Sequence, residues 1–176
     1  MRMALRVTLC LVFMLMAAQA RAQTNQWRGI VPLRSTRADV ERLLGGPPNL
    51  NGWLYDLPDA EVAFTYSTGS CKEGESVGWN VPRDTVVGIH LSLKKWLPLS
   101  DLHLDLSKYR RYLSGDSGSL YDYENEEAGV IITVDEEIRG EKKVREIRYV
   151  PTANDKPLGC PAPPAKQPCA RIQGQP

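Results

Sequence analysis

An alternation of apolar and polar residues between positions 85 and 93 constrains the fold of this chain more than any other feature of its sequence. The residues that share one side of this segment are Val87, Ile89, Leu91 and Leu93. Those on the other side are Gly88, His90 and Ser92. Because successive side chains of a strand point to opposite faces, the pattern predicts a central strand with one buried and one polar face. Such strands are typical of antiparallel sheets that expose one side to water.

Five further segments have the alternation, or the β-branched and aromatic content, that is typical of strands. They are residues 53–57, 61–66, 120–123, 130–134 and 144–150. The first two flank Pro58, Asp59 and Ala60, which predicts a hairpin, and the last three predict an antiparallel meander. Residues 67–82 are rich in Gly, Ser and charged side chains, which predicts a long loop held by Cys71.

A short amphipathic helix is marked at both ends between positions 33 and 48. Thr36 and Asp39 fit the capping-box pattern, in which each side chain accepts a hydrogen bond from the other residue's backbone N–H. The apolar residues that follow at helical spacing are Val40, Leu43 and Leu44. Gly45 or Gly46 permits a left-handed cap, and Pro47 prevents the helix from continuing.

A second helix is predicted from about residue 102 or 105 to residue 113. Its basis is that Leu106, Tyr109 and Leu113 repeat at helical spacing and that Gly115 follows them. The predicted order is helix, three strands, helix, three strands. The expected fold class is therefore α+β, with a mostly antiparallel sheet of about five to six strands and two short helices on one face.

The first 22 residues have the pattern of a secretory signal peptide. Arg2 and Arg6 precede an apolar run over residues 7–18, and the small residues Ala20 and Ala22 provide a site for signal peptidase. We expect cleavage after Ala22, with Ala20 as the alternative site.

Two alternatives, a membrane anchor and a lipoprotein, fit the same segment less well. The apolar run is shorter than the roughly 20 residues that a membrane-spanning helix needs. Lipidation would use Cys10, and the bulky Leu9 before it disfavours this modification. The mature chain is therefore predicted to be extracytoplasmic, either periplasmic or secreted.

Loss of the signal peptide changes the charge of the chain. Three basic residues and no acidic residue leave with it, so the mature chain has 19 basic and 21 acidic residues and a net charge near −2. This balance differs from that of nucleic-acid-binding proteins, whose affinity depends on many phosphate contacts. We predict no nucleic-acid partner and no transmembrane segment in the mature chain.

Three cysteines remain in the mature chain, Cys71, Cys160 and Cys169, which in an oxidising compartment predicts one disulfide and one odd thiol. Pairing of Cys71 with Cys160 is favoured, because a closed loop of roughly 90 residues contributes about 4 to 5 kcal/mol in the chain-entropy model. Pairing of Cys160 with Cys169 would close only a small Pro-rich loop. No CxxC or Cys/His cluster indicates a metal site, and no cofactor is predicted.

The mature chain is predicted to form one α+β domain over residues 23–160, after a signal peptide over residues 1–22. The tail over residues 161–176 is predicted to be disordered. Residues 151–176 contain seven of the 13 prolines and few large apolar side chains. Such a segment cannot offset its ordering entropy by burial.

A family resemblance rests on Thr36, Val40, Leu44 and the Gly45-Gly46-Pro47 exit. These residues resemble the helix-to-turn signature of the BamE/SmpA-like and beta-lactamase-inhibitor-like small secreted domains. The resemblance covers about a dozen residues and implies helices packed on an antiparallel sheet, in proteins that act by binding other proteins. The lipidation cysteine of the outer-membrane assembly factor is missing here. The whole chain is also similar to uncharacterised secreted bacterial proteins.

No catalytic residue is predicted from a motif. The histidine on the polar side of the central strand, His90, is interpreted as a solvated or hydrogen-bonded residue. His103 and Asp105 have the spacing of two ligands or of a base and its orienter, although helix capping already accounts for Asp105.

Acidic side chains cluster in two places near the C-terminal third of the chain. They are Asp122, Glu124, Glu126 and Glu127, and then Asp135, Glu136 and Glu137. Because no calcium-loop spacing occurs among them, they are interpreted as a solvated rim rather than as a cation site.

Three hypotheses about function follow from these observations. The first is a non-enzymatic protein-binding or envelope-assembly module, which engages an unknown protein partner through an open sheet face or a sheet edge. The second is a small secreted hydrolase whose carboxylates, Asp122 or Glu124, converge only in the fold. The third is a structural secreted domain without a tight partner.

Overall fold

A computed structural model describes residues 25–46, 53–72, 77–115, 118–136 and 140–161. The predicted signal peptide lies outside the described residues, as does the predicted tail after Pro161. Within the described ranges, none of the helices has both the length and the apolar character that crossing a membrane would need.

A single antiparallel sheet of seven strands dominates the described part of the chain. The strands are β1 Leu54–Asp56, β2 Ala60–Tyr66, β3 Val86–Pro98, β4 Arg110–Leu113, β5 Leu120–Asn125, β6 Val130–Asp135 and β7 Lys143–Tyr149. Their order across the sheet is β1-β2-β3-β7-β6-β5-β4. Strand β7, the last strand among the described residues, therefore lies between β3 and β6 and joins the two halves of the sheet. The predicted antiparallel sheet is confirmed, and each of the six predicted strands is present.

The helix α1, Arg37–Leu44, has the predicted capping box at its N-terminus. Thr36 N donates to Asp39 Oδ2 at 2.9 Å, and Asp39 N donates to Thr36 Oγ1 at 3.3 Å. The backbone hydrogen bond from Thr36, together with the Arg42 side chain, lowers the pKa of Asp39 to about 2. Gly45 ends the helix with a φ of 86°, a conformation that favours glycine.

Strand β4 corrects the prediction of a second helix over residues 102–113. Asp105 accepts a hydrogen bond from Ser107 N at 3.2 Å and caps only one 3₁₀ turn, Leu106–Lys108. Tyr109 then buries its ring in the core, and Arg110–Leu113 pairs with β5. The apolar spacing that predicted a helix fits an exposed turn, a buried Tyr109 and a strand equally well, and pairing with β5 decides the outcome. The sheet therefore has seven strands instead of five to six.

The hydrophobic core lies on one face of this sheet and has two parts. The buried residues of the first part are Ile30, Val40, Tyr55, Ala60, Val62, Phe64, Val86, Ile89 and Leu91. Those of the second part are Leu99, Tyr109, Tyr123, Val130, Ile132, Val134 and Val144. Leu93, Ile147 and Tyr149 pack against both parts. Helix α1 thus covers the β1–β3 half, and the 3₁₀ turn Leu99–Leu102, with Leu104 and Tyr109 after it, covers the other half.

A disulfide between Cys71 and Cys160 ties the loop between β2 and β3 to the end of the domain, as predicted. The two Cα atoms are 5.6 Å apart and the cysteines are 89 positions apart in sequence. Backbone hydrogen bonds support the same junction, from Asn80 N to Leu158 O at 2.7 Å and from Cys160 N to Gly78 O at 3.0 Å. The disulfide therefore reinforces a short pairing that already exists in the backbone.

Removal of this disulfide is expected to lower thermal stability strongly. For a loop of this length, the double variant Cys71→Ser/Cys160→Ser should lose about 3–5 kcal/mol of unfolding free energy and about 10 °C in unfolding midpoint. Calorimetry of the oxidised mature protein measures both quantities. Cys169→Ser is the control and should leave the midpoint unchanged. An equal loss in the control variant would contradict the assigned pairing.

Candidate functional site

The face of the sheet opposite the core carries two rows of mostly polar side chains, which we call the open face. Directly paired residues of neighbouring strands share a face, so the strand register defines each row. The first row, from β2 to β4, is Glu61, Ser92, Glu146, Thr133, Asp122 and Tyr112. The second row is Ala63, His90, Arg148, Ile131, Glu124 and Arg110. The polar side predicted for the central strand is therefore part of a surface that crosses six strands.

The disulfide junction borders one end of the open face. Thr65, Val87, Trp79 and Cys160 line a depression of about 220 Å³ there. Trp79 forms an isolated backbone bridge with Gly159 and is half-buried. In the part of the chain that the structure describes, the helix and the 3₁₀ segments that build the core pack on the other side of the sheet.

A partly buried ion pair, between Arg148 and the buried Asp122, occupies the centre of the open face. Arg148 Nη2 donates to Asp122 Oδ2 at 2.5 Å, and Thr133 Oγ1 donates to Asp122 Oδ1 at 2.6 Å. Asp122 is only 5 % exposed, so its charge requires these partners. Arg148 Nε is also buried and has no hydrogen-bond partner among the described residues.

His90 and Glu146 form a second pair on the same face. His90 Nε2 and Glu146 Oε2 are 3.0 Å apart, and both side chains are close to 40 % exposed. The interpretation of His90 as a hydrogen-bonded residue is confirmed. The imidazole and the carboxylate come from adjacent strands, β3 and β7, and both remain accessible to a partner.

Glu124 contacts Arg110 at the β4 end of the open face. Arg110 Nη2 lies 2.6 Å from Glu124 Oε2 and 3.6 Å from Glu126 Oε1. These three residues, with Lys108 and Glu127, border a depression of about 480 Å³. A hydrogen bond from Lys156 lowers the pKa of Glu126, which keeps this carboxylate charged.

The two carboxylates named for a hydrolase lie on the same side of β5 but have separate partners. Both Asp122 oxygens accept hydrogen bonds, and Glu124 is paired with Arg110. A general acid needs a raised pKa at neutral pH, whereas every resolved carboxylate shift among the described residues is downward. The carboxyl groups whose pKa is lowered are those of Asp39, Asp105, Glu126, Glu136 and Asp155.

In the second predicted acidic cluster, Asp135 and Glu136 form ion pairs at the end of the sheet, and Glu137 lies outside the described residues. Glu136 accepts hydrogen bonds from Arg111, Tyr123 and Lys142, at distances from 2.5 to 3.1 Å. The hydrogen bonds from Arg111 lower its pKa to about 2, and those from Tyr123 and Lys142 act in the same direction. Asp135 lies 3.8 Å from Arg145. Over the described ranges, no group of three or more His, Cys, Asp and Glu side chains could hold a metal ion.

Asp105, which the sequence paired with His103, uses its carboxylate to cap the 3₁₀ turn that follows it. Asp105 accepts hydrogen bonds from the backbone and the hydroxyl of Ser107. His103 ends the preceding 3₁₀ turn with a φ of 49° and lines a largely apolar depression of about 360 Å³ with Leu104 and Leu106. The capping interpretation of Asp105 is therefore confirmed.

Sequence reasoning missed most members of the open face. No motif links the segments that contain these residues. Two of the segments were predicted as strands and hold Thr133, Glu146 and Arg148, and the third was predicted as a helix and holds Arg110. The pairs join residues of adjacent strands or, for Arg148 and Asp122, residues of two strands with β6 between them. Only the register of β3 to β7 brings them together. The alternation of Ile147, Arg148 and Tyr149 was the available signal that polar residues would share one side.

Comparison with known proteins gives no relative: no family model, curated protein or solved structure matches this chain. The resemblance of the helix-to-turn signature therefore stays a prediction.

Breaking the central ion pair is expected to destabilise the domain more than breaking the exposed pair beside it. Arg148→Met leaves the buried Asp122 charge without its cation and should cost about 2–3 kcal/mol. Arg110→Met removes the cation from Glu124 at the surface and should cost less than about 1 kcal/mol. Urea unfolding of both variants measures the difference. Equal costs would show that Asp122 does not depend on Arg148.

The Glu136 cluster predicts an acid-dependent contribution to stability. The pKa of this carboxyl falls from 4.5 to about 2 on folding, so its contribution is present above about pH 4.5 and is lost as the pH falls towards 2. Glu136→Gln should therefore lower the unfolding free energy near neutral pH and have little effect near about pH 2. Urea titrations at both pH values test this. Glu141→Gln is a control, and a pH-independent loss in Glu136→Gln would contradict the prediction.

Proposed function

We propose that the mature chain is an extracytoplasmic, non-enzymatic protein-binding or envelope-assembly module that contacts its partner through the open face. One observation carries the proposal: the core lies on one side of the sheet, and the other side presents two polar rows across six strands. At a spacing of about 4.8 Å per strand, these rows are about 24 Å wide. That width suits one side of a protein–protein interface of standard size, about 800 Å² per partner.

The hydrogen bonds within the open face support this proposal. Arg148, Asp122 and Thr133 hold one another, and His90 is held by Glu146. Side chains that are fixed before binding lose less conformational entropy when a partner docks. Arg and Tyr are also enriched among the residues that dominate binding energy, and the open face has Arg148, Arg110 and Tyr112.

The charges of the open face indicate the kind of surface that it suits. Four carboxylates lie in the two rows, those of Glu61, Glu146, Asp122 and Glu124. Only two guanidinium groups accompany them, those of Arg148 and Arg110. Among these six groups the face has an excess of two negative charges, so a partner with basic and hydrogen-bonding groups is complementary.

The predicted extracytoplasmic location agrees with this role. A disulfide is usual in secreted and periplasmic proteins and rare in the cytosol, and Cys71–Cys160 is such a bond. The predicted signal peptide would deliver the chain to that compartment. The signature shared with BamE/SmpA-like and inhibitor-like domains adds support, because those domains act by binding proteins.

Affinity capture with charge-reversed variants tests the proposal. The mature protein is immobilised and exposed to a periplasmic and extracellular extract, and the stoichiometric partner is quantified by mass spectrometry. Glu61→Arg and Ser92→Arg place a large cation on the open face and should reduce capture at least about tenfold, which corresponds to the loss of one good contact. Neither residue belongs to the central ion pair, so both variants should fold.

Glu141→Arg is the matched control, because Glu141 is exposed beside the 3₁₀ segment on the opposite side of the sheet. It should capture the partner as well as the wild type does. Absence of any stoichiometric partner, or equal loss in all three variants, would contradict the proposal.

A further inference from the structure

Strand β4 lies at one edge of the sheet and has a neighbouring strand on one side only. It pairs with β5 and ends the strand order within the described residues. Each of its four residues is exposed, and its pairing with β5 is regular, without a bulge. An exposed, regular edge strand is a template for pairing with another strand.

Backbone directions identify the groups that β4 presents outward. Ser114 N donates to Leu120 O at 2.8 Å, and these two residues lie opposite each other in the β4–β5 register. Because hydrogen-bonded pairs alternate along an antiparallel ladder, Tyr112 and Arg110 also bond to β5. The N–H and C=O groups of Arg111 and Leu113 therefore point away from the sheet.

The usual protection of an edge strand is weak at β4. Natural edges carry charged side chains, proline or bulges that prevent association. The charges on β4 are neutralised within the same molecule, since Arg110 pairs with Glu124 and Arg111 pairs with Glu136. Two large apolar or aromatic side chains are exposed there, Tyr112 at 38 % and Leu113 at 50 %.

The opposite edge of the sheet differs in each of these respects. Strand β1 has three residues and is followed closely by Pro58. Its Asp56 forms an ion pair with Lys94 of β3. The asymmetry between the two edges makes β4 the edge that is suited to a partner strand.

We propose that β4 pairs antiparallel with β4 of a second copy of this chain, with the two-fold axis at Tyr112. Three symmetric registers are possible near this point. Pairing Arg111 with Arg111 of the other copy would place like charges opposite each other. Pairing Leu113 with Leu113 would require Gly115, whose φ is 68°, to continue the strand.

The remaining register places Arg111 opposite Leu113 of the other copy, and Tyr112 opposite Tyr112. All four outward-pointing backbone groups of each strand are then satisfied, without an arginine facing an arginine. The Tyr112 pair lies at a non-hydrogen-bonded position, where cross-strand side chains are closest and aromatic pairs stabilise a ladder. The two seven-stranded sheets become one continuous sheet, and their open faces become one surface.

Sedimentation of the mature protein across a concentration series tests the pairing. The wild type should show a reversible dimer between about 1 µM and 1 mM, because a short edge pairing gives modest affinity. Leu113→Pro removes the outward N–H without affecting the β5 ladder and should weaken dimerisation about tenfold or more. Leu113→Ala keeps the N–H and should have a smaller effect.

Leu54→Pro is the matched control on the β1 edge. Phe64 N on β2 donates to Trp53 O, so Trp53 bonds to β2 and the next residue, Leu54, points its N–H outward. This control variant should leave the dimer intact. Circular dichroism verifies that each variant is folded. A protein that stays monomeric to about 1 mM, or a dimer that Leu113→Pro leaves unchanged, would overturn the proposal.

Crosslinking distinguishes this register from other dimers. In a Cys169→Ser background, Tyr112→Cys places two thiols across the axis with Cα atoms about 4.5–5.5 Å apart, within disulfide range. It should oxidise to a covalent dimer. Arg110→Cys in the same background should not, because its two copies would lie about 14 Å apart along the strands. Equal crosslinking of the two variants would refute the register.

Discussion

The pairing of β7 with β3 on one side and with β6 on the other is the constraint on which the rest of the molecule depends. The first three strands and helix α1 form one half of the sheet, and β4 to β6 form the other. Ile147 and Tyr149 of β7 pack into both parts of the core. Glu146 and Arg148, which alternate with them, hold His90 and Asp122 on the open face. A shift of one residue in this register would exchange the two sets, so core and surface are determined together.

A sheet with its core on one side must provide hydrogen-bond partners for the polar side chains of its other side without a covering layer. The structure does this locally, because Asp122 is shielded by neighbouring side chains and receives hydrogen bonds from Thr133 and Arg148. Mutual hydrogen bonds fix these groups but leave His90 and Glu146 accessible. The same architecture that makes the domain stable with one apolar face therefore leaves an ordered, polar surface available for recognition. The disulfide junction at Cys160 adds a rigid border to that surface.

Local physics was sufficient to predict several elements of this fold. The alternation at residues 85–93, the capping box at Thr36 and the long loop closed by Cys71 depend on neighbours in sequence or on loop entropy. The capping box and the closed loop were predicted correctly. The alternation holds from Ile89 onwards, but the prediction that Val87 faces the core was wrong: a register shift opposite Thr65 and Tyr66 buries Val86 in its place. The open face could be predicted only as a polar side, because its pairs join residues far apart in sequence. Arg148 and Asp122, for example, are 26 positions apart and meet through the register of three strands.

The misassigned segment shows why the remaining part of the fold was out of reach of sequence. Leu106, Tyr109 and Leu113 satisfy a helical period, and only contacts with β5 and the core decide in favour of a turn and a strand. The strand conformation of Arg110–Leu113 comes from its pairing with β5 on one side, and not from a strong intrinsic preference of these residues for a strand. A strand of this kind gains stability from any further strand that satisfies Arg111 and Leu113 on its outer side. The segment that was hardest to predict from local sequence is therefore the one whose structure is most open to completion by another chain.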